Sequence, residues 1–182
     1  RTPTRAVFDV TPSEDLPDTI NLYVLTQGDS DVTQISVQPS VREDALFKFN
    51  ISVNQLAAGN RPTNMALLEL PERGTRLLTT SGHAPQFTLV DVASGESSTF
   101  SLPMNVAAQG IELYTATEAA GEELTQELRV LAWSSQTEVV SVIRPETIAI
   151  SADQPTLGRS VEAIRLERAP VRVELDESAA RE

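Results

Sequence analysis

Acidic side chains in the first part of the chain have the chemistry and the spacing of a calcium site. Asp29 and Asp31 lie in the turn sequence GDSD, and Asp15 and Asp18 lie in an acidic segment just before it. Calcium binds several hard oxygen ligands on flexible loops, which these carboxylates would supply if the two segments meet. An acidic turn in water explains the same residues, because Asp is favoured in turns. Calcium is the one cofactor that we consider.

The sequence offers few candidate residues for nucleophilic catalysis. His83 is the single histidine, in the sequence TTSGHAPQ, and Ser81 is its nearest hydroxyl along the chain. A triad needs a nucleophile, a histidine and an acid brought together, and no Gly-x-Ser-x-Gly signature accompanies the pair. One histidine and no cysteine also leave a zinc site without ligands. We therefore expect a surface-loop histidine and a chain without catalytic residues.

Composition excludes further classes of function. The chain has 182 residues and a formal net charge of −12. Nucleic-acid binding needs a basic patch, and anionic membrane surfaces attract basic segments, so neither partner is expected. No apolar run approaches the roughly 20 residues that a transmembrane helix needs. Hydrophobic residues make up 40% of the chain, which is enough to bury a core.

The elements that must position any site are strands, because apolar residues recur at every second position. Phe47, Phe49, Ile51 and Val53 alternate with polar residues, which predicts one face on a core and one face in water. Turn sequences separate such runs every 8–12 residues or so, the spacing of a β-sandwich or barrel. The predicted strands are 6–10, 20–24, 32–38, 47–53, 64–70, 75–80, 86–92, 98–103, 111–114, 126–133, 136–143, 146–151, 164–167 and 171–175.

The sequence contains an internal repeat. The pattern Ile-x-Leu-Tyr-x-x-Thr begins at residue 20 and again at residue 111, and three shorter matches follow in the same order. These matches predict two homologous antiparallel β-sandwich domains at 1–97 and 98–182, with a flexible acidic tail at 176–182. A single large sandwich made of two merged halves is the rival organisation.

The two tyrosines of the chain, Tyr23 and Tyr114, hold the same place in the repeated pattern. Alternation predicts that Ile20 and Leu22 face a core, which leaves Tyr23 on the wet face. The two tyrosines could stack on a sugar or a partner. A structural tyrosine that covers the sheet and donates its hydroxyl to a nearby group explains the repetition better, since packing is needed in every copy.

A resemblance extends the repeat argument. The stretch RAVFDVTPSEDLPDTINLYVLTQGDSD, together with LAAGNRPTNMALLELPERGTRLL, resembles tandem immunoglobulin-like repeats of unknown function in secreted and lipid-anchored bacterial proteins. The resemblance implies an extracytoplasmic location and immunoglobulin-like β-sandwich domains. It brings no activity with it.

Together these features predict a non-catalytic structural or adhesive protein of a bacterial cell surface or extracellular assembly. Its partners would be a protein, a surface polysaccharide or copies of itself. Two alternatives stay open: a carbohydrate- or peptide-binding module, and a filament subunit linked through its N-terminal strand.

Overall fold

The computed structural model describes residues 2–11, 18–40, 48–120, 123–150 and 160–173. The expected calcium ligand Asp15 and the expected acidic tail 176–182 lie outside these residues. Within them the chain is all-β, and its strands form three antiparallel sheets of four strands each. The all-β prediction is therefore confirmed.

Each sheet is a meander of four strands that are consecutive in the chain, so neighbours in sequence are neighbours in space. Sheet A consists of β1 (Pro3–Thr11), β2 (Thr19–Thr26), β3 (Asp31–Pro39) and β4 (Phe49–Ala57). Sheet B consists of β5 (Pro62–Leu70), β6 (Gly74–Ser81), β7 (Gln86–Asp91) and β8 (Ser97–Ser101). Sheet C consists of β9 (Gly110–Ala120), β10 (Glu123–Trp133), β11 (Val139–Ile143) and β12 (Val161–Arg165).

Most predicted strands coincide with observed ones, because period-two alternation is present wherever a strand has one buried face. Two predictions were wrong. In the predicted strand 146–151, of which residue 151 lies outside the described residues, the chain first completes a 3-10 turn at Pro145–Thr147, where proline starts a turn and supplies no ladder donor, and then makes an isolated bridge at Ala149. Residues 171–173 lie outside any strand.

Sheet B lies between sheets A and C and has a core on each side. Leu77 and Leu78 on β6 show the arrangement: both are fully buried, one in the core against sheet A and the other in the core against sheet C. Adjacent residues of a strand point to opposite faces, so a strand buried on both sides reads as a continuous apolar run. Each fully buried leucine stabilises the fold by about 2 kcal/mol.

Two connections pass the chain from sheet to sheet. Between sheets A and B, Gly59 has φ 89°, and a Cβ there would lie 2.2 Å from the Thr88 hydroxyl oxygen. Only glycine fits this passage. Between sheets B and C, Leu102, Met104 and Ala108 of the connection are themselves buried in the core.

The predicted boundary between residues 97 and 98 lies inside β8 (Ser97–Ser101), and the division into two repeats stays a prediction. Three of the sequence matches fall on β2, β3 and β4 and, in the same order, on β9, β10 and β11. The fourth does not pair two strands, since it joins β7 to residues near 171 that lie outside a strand.

Candidate interaction surface

The outer face of sheet A, the face turned away from sheet B, is apolar across all four strands. Strand register places its side chains in rows, such as Phe8, Leu22, Ile35 and Val53 across β1 to β4. A second row runs parallel to it. The residues of this face, which we call the A face, are Ala6, Phe8, Val10, Ile20, Leu22, Val24, Asp31, Thr33, Ile35, Val37, Pro39, Phe49, Ile51, Val53, Gln55 and Ala57.

The A face is open to solvent in the described structure. Nine large hydrophobic residues are exposed among the described residues, and six of them lie here, including Phe8 at 72%, Ile51 at 66% and Val53 at 59%. Single exposed apolar residues are ordinary on a protein surface, whereas a contiguous patch marks an interaction site. Six neighbours on one sheet face form such a patch.

The A face has one charged residue, Asp31, at its end near the β2–β3 turn, although the chain has 26 acidic and 14 basic residues. Next to it, Thr33 and Gln55 hydrogen-bond to each other, with the Gln55 amide 3.1 Å from the Thr33 hydroxyl. Their polar groups are thus partly satisfied without water. Away from Asp31, the surface can therefore lose its water without leaving a charge unpaired.

The outer face of sheet C differs from the A face because it carries charged side chains that form ion pairs. The Glu127 carboxylate lies 3.1 Å from the Arg129 guanidinium and 3.6 Å from that of Arg144, and Arg144 reaches Glu162 at 3.0 Å. These side chains form an ion-pair ladder across β10, β11 and β12. The outer face of sheet C therefore carries paired charges, of which Glu162 is the most exposed at 51%.

Tyr23 lies in the core between sheets A and B, which we call the A–B core. The prediction that Ile20 and Leu22 face a core and Tyr23 faces water was therefore wrong. The Tyr23 side chain is 1% exposed, whereas Ile20 is 48% exposed. Burial and the nearby charge of Asp9 raise the pKa of Tyr23 above its ordinary value of 10.0, and a hydrogen bond with Gln34 acts in the opposite direction. A ring so deeply buried offers no surface on which a sugar could stack.

Tyr114 does not occupy the equivalent position. On β9 it pairs with Arg129 and points to the outer face of sheet C, whereas Tyr23 points into a core. The two tyrosines therefore share a sequence pattern but not an environment. A binding role for the half-buried Tyr114 stays a prediction.

Of the expected calcium ligands within the described residues, Asp18 is not brought together with Asp29 and Asp31. Asp18 precedes the first residue of β2, and Asp29 and Asp31 follow its last residue, so the length of the strand separates them by roughly 25 Å. No group of three or more histidine, cysteine, aspartate or glutamate side chains suited to a metal occurs in the described ranges. Asp29 and Asp31 remain as a pair on one turn.

His83 is exposed on the β6–β7 connection, as expected of a loop histidine. The Ser81 side chain, the expected partner in a catalytic pair, instead accepts hydrogen bonds from the backbone N–H groups of His83 and Ala84, both at 3.2 Å. The hydroxyl thus shapes the turn.

A groove of about 670 Å³ opens where β1, β5 and β9, the first strands of the three sheets, come close together. Its charged lining residues are Arg5, Glu69 and Glu112. Its apolar lining includes Met65, Leu67 and Ile111. Phe8 borders both this groove and the A face.

Sequence analysis missed the A face because it assigned the apolar side of each strand to a core. The signal was present: β4 alternates Phe49, Ile51 and Val53 with polar residues, but both sides of β2 are apolar. A strand with apolar residues on both sides predicts two covered faces, and only one is covered by the described chain.

Comparison with known proteins finds no matching family model, no curated protein and no solved structure with a significant match. Within the described residues, no helix is long and apolar enough to cross a membrane.

Proposed function

We propose that this chain is a non-catalytic interaction domain, structural or adhesive in role, that makes its contacts through the A face. The observation that carries the proposal is the predominantly apolar surface spanning all four strands of sheet A, with Phe8, Ile51 and Val53 more than half exposed. Contiguous apolar surface of this kind costs solubility and is retained where it binds something.

The sheet beneath the A face suits a contact surface. Tyr23, Leu25 and Val32 hold β2 and β3 against sheet B from the other side, and all three are essentially fully buried. A surface supported by a packed core loses little conformational entropy on binding.

The setting of this role is a bacterial cell surface or extracellular assembly. The sequence resemblance to exported repeats supports that location, and the immunoglobulin-like, two-domain organisation is part of the same proposal. The linkage of a filament through the N-terminal strand has weaker support, since β1 pairs with β2 of its own chain along its length.

Adhesion of cells that display the chain tests the proposal. The probes are beads coated with purified bacterial surface polysaccharide, with a surface-protein fraction, or with the chain itself. Ile51→Lys places a charge on the A face, and Asn54→Lys places the same charge on the same strand, pointing to the opposite side.

We expect Ile51→Lys to lower retention on at least one kind of bead about tenfold, because burying an unpaired lysine opposes binding. Asn54→Lys should match the unsubstituted chain. Equal retention of all three on every bead contradicts the proposal.

A further inference from the structure

The A face has the size and character of one half of a β-sandwich. Its four strands are 8–9 residues long. At about 3.3 Å per residue and about 4.8 Å between strands, the face covers roughly 500 Å². The question is which surface covers it.

We propose that the A face pairs with the A face of a second copy of this chain, forming a two-fold symmetric dimer. The inference rests on the proposed interaction role and names its partner. The two four-stranded sheets would pack face to face about 10 Å apart, in the aligned arrangement of a sandwich.

The fold itself shows how this chain covers a sheet face. Both faces of sheet B are covered by another four-stranded sheet, through the core that contains Leu77 and the core that contains Leu78. The A face presents the same kinds of side chain as those cores. A second sheet A supplies the missing layer.

Area and charge agree with self-pairing. Two A faces bury roughly 1,000 Å² in total, at the lower limit of a specific interface, which predicts a dimer of moderate affinity. Each copy has a net charge of −12, yet its A face has one charged residue, Asp31, at one end of the face. Two like-charged chains can therefore meet here without like charges in contact when the Asp31 ends of the two faces point in opposite directions.

Pairing the A face with the outer face of sheet C is disfavoured. The Arg129, Glu127 and Arg144 ladder would lose its water under an apolar sheet, and desolvation of ion pairs costs more than their attraction returns. A head-to-tail contact would build open polymers, whereas face-to-face pairing closes as a dimer.

Sedimentation of the purified chain tests the pairing. Measured from about 1 µM to about 200 µM, the range in which a small interface dissociates, the unsubstituted chain should pass from monomer to dimer and stop there. Ile51→Lys should raise the dissociation constant at least about 100-fold, because two-fold symmetry places the lysine in the interface twice. Asn54→Lys should dimerise like the unsubstituted chain.

Three results overturn the inference: a monomer across the whole range, polymers that grow with concentration, or an Ile51→Lys variant as dimeric as Asn54→Lys. Circular dichroism confirms that each variant is folded, as expected for residues that are exposed. If the chain is monomeric but Ile51→Lys still loses bead adhesion, the second copy is the wrong partner and the interaction role stands. If Ile51→Lys changes neither readout, both proposals fall.

Discussion

The two ends of the three-sheet stack are built differently. On sheet C, Glu127 holds Arg129 and Arg144 in an ion-pair ladder, whereas the corresponding end on sheet A exposes Phe8, Ile51 and the rest of the A face. Stacked structures need a polar outer surface at each end to stay soluble. Sheet C has one, and sheet A does not.

The difference indicates which surface of the described residues is an interaction surface. Val140 and Val142 lie on the outer side of sheet C, yet they are 5% and 3% exposed. Among the exposed large hydrophobic residues of the described chain, one, Ile164 at 47%, lies on this outer side, against six on the A face. The exposed apolar residues of sheet A therefore do not follow from a general shortage of polar residues, and an interaction surface accounts for them.

The largest expected effect is the difference in unfolding free energy between a substitution in a core and one on the A face. Phe87→Ala should lower the free energy of unfolding by about 3–5 kcal/mol, because Phe87 is fully buried in the B–C core and stacks on Phe100 with ring centroids 5.2 Å apart. Phe49→Ala on the A face should cost under about 0.5 kcal/mol. Urea unfolding of the dilute monomer measures both. Equal costs would mean that Phe49 is already covered within one chain.

Side-chain packing in sheet C provides the next test. The ring of Trp133 lies over Gly110, where a Cβ would come within 2.6 Å of ring atoms. Gly110→Ala should therefore destabilise the fold by about 1–3 kcal/mol through overpacking. Trp133 is the single tryptophan, so its fluorescence reports the displacement directly. Adding Trp133→Leu should restore part of the loss; an unchanged stability and spectrum would contradict the close contact.

The ion-pair ladder should contribute less. Glu127→Gln removes the charge that Arg129 and Arg144 share, and we expect a loss of about 1–2 kcal/mol, between the contribution of a typical hydrogen bond and that of a hydrogen bond to a charged group. The matched control is Glu112→Gln, exposed on the same face of sheet C, with an effect under about 0.5 kcal/mol. Thermal unfolding at low and high salt measures both. If the two variants behave alike, the ladder does not stabilise this end.

The smallest effect concerns pH. Because burial raises the pKa of Tyr23, the folded chain keeps this phenol protonated at pH values where the unfolded chain ionises it. Stability is therefore complete below the ordinary value of 10.0 and falls as the pH rises above it. Tyr23→Phe should cost about 0.5–1.5 kcal/mol at neutral pH through its lost hydrogen bond, and should weaken the alkaline decline.

The alkaline region is simple to interpret, since the chain has a single lysine, no cysteine and one other tyrosine. Denaturant unfolding between pH 8 and pH 11, or about that range, covers the expected decline. An identical decline in Tyr23→Phe would show that the decline arises elsewhere.

Strand positions were predictable from the sequence, but their faces were only partly so. Alternation on β4 correctly grouped Phe49, Ile51 and Val53 on one side, yet that side is the open one. The rule that apolar means buried fails where a protein displays an apolar sheet face. Tyr23 was assigned to the wrong face for the same reason, because the apolar Ile20 and Leu22 on the other side of the strand were assumed to face the core.

The arrangement of the sheets lay beyond sequence reasoning. Residues such as Met65 and Leu67 reveal contacts with sheet A only once β5 is placed against β1, and no local pattern encodes that pairing. The distance between two of the expected calcium ligands was likewise beyond sequence reasoning, because Asp18 and Asp29 are close in sequence but separated by the length of a strand.

Cross-linking of single-cysteine variants tests the contrast between the two ends most directly. The chain has no cysteine, so Ile35→Cys on the A face and Glu162→Cys on the outer face of sheet C each introduce a unique thiol. Under mild oxidation, our account predicts disulfide-linked dimers from Ile35→Cys, near the centre of the A face, and monomers from Glu162→Cys. Dimers from Glu162→Cys with monomers from Ile35→Cys would contradict it.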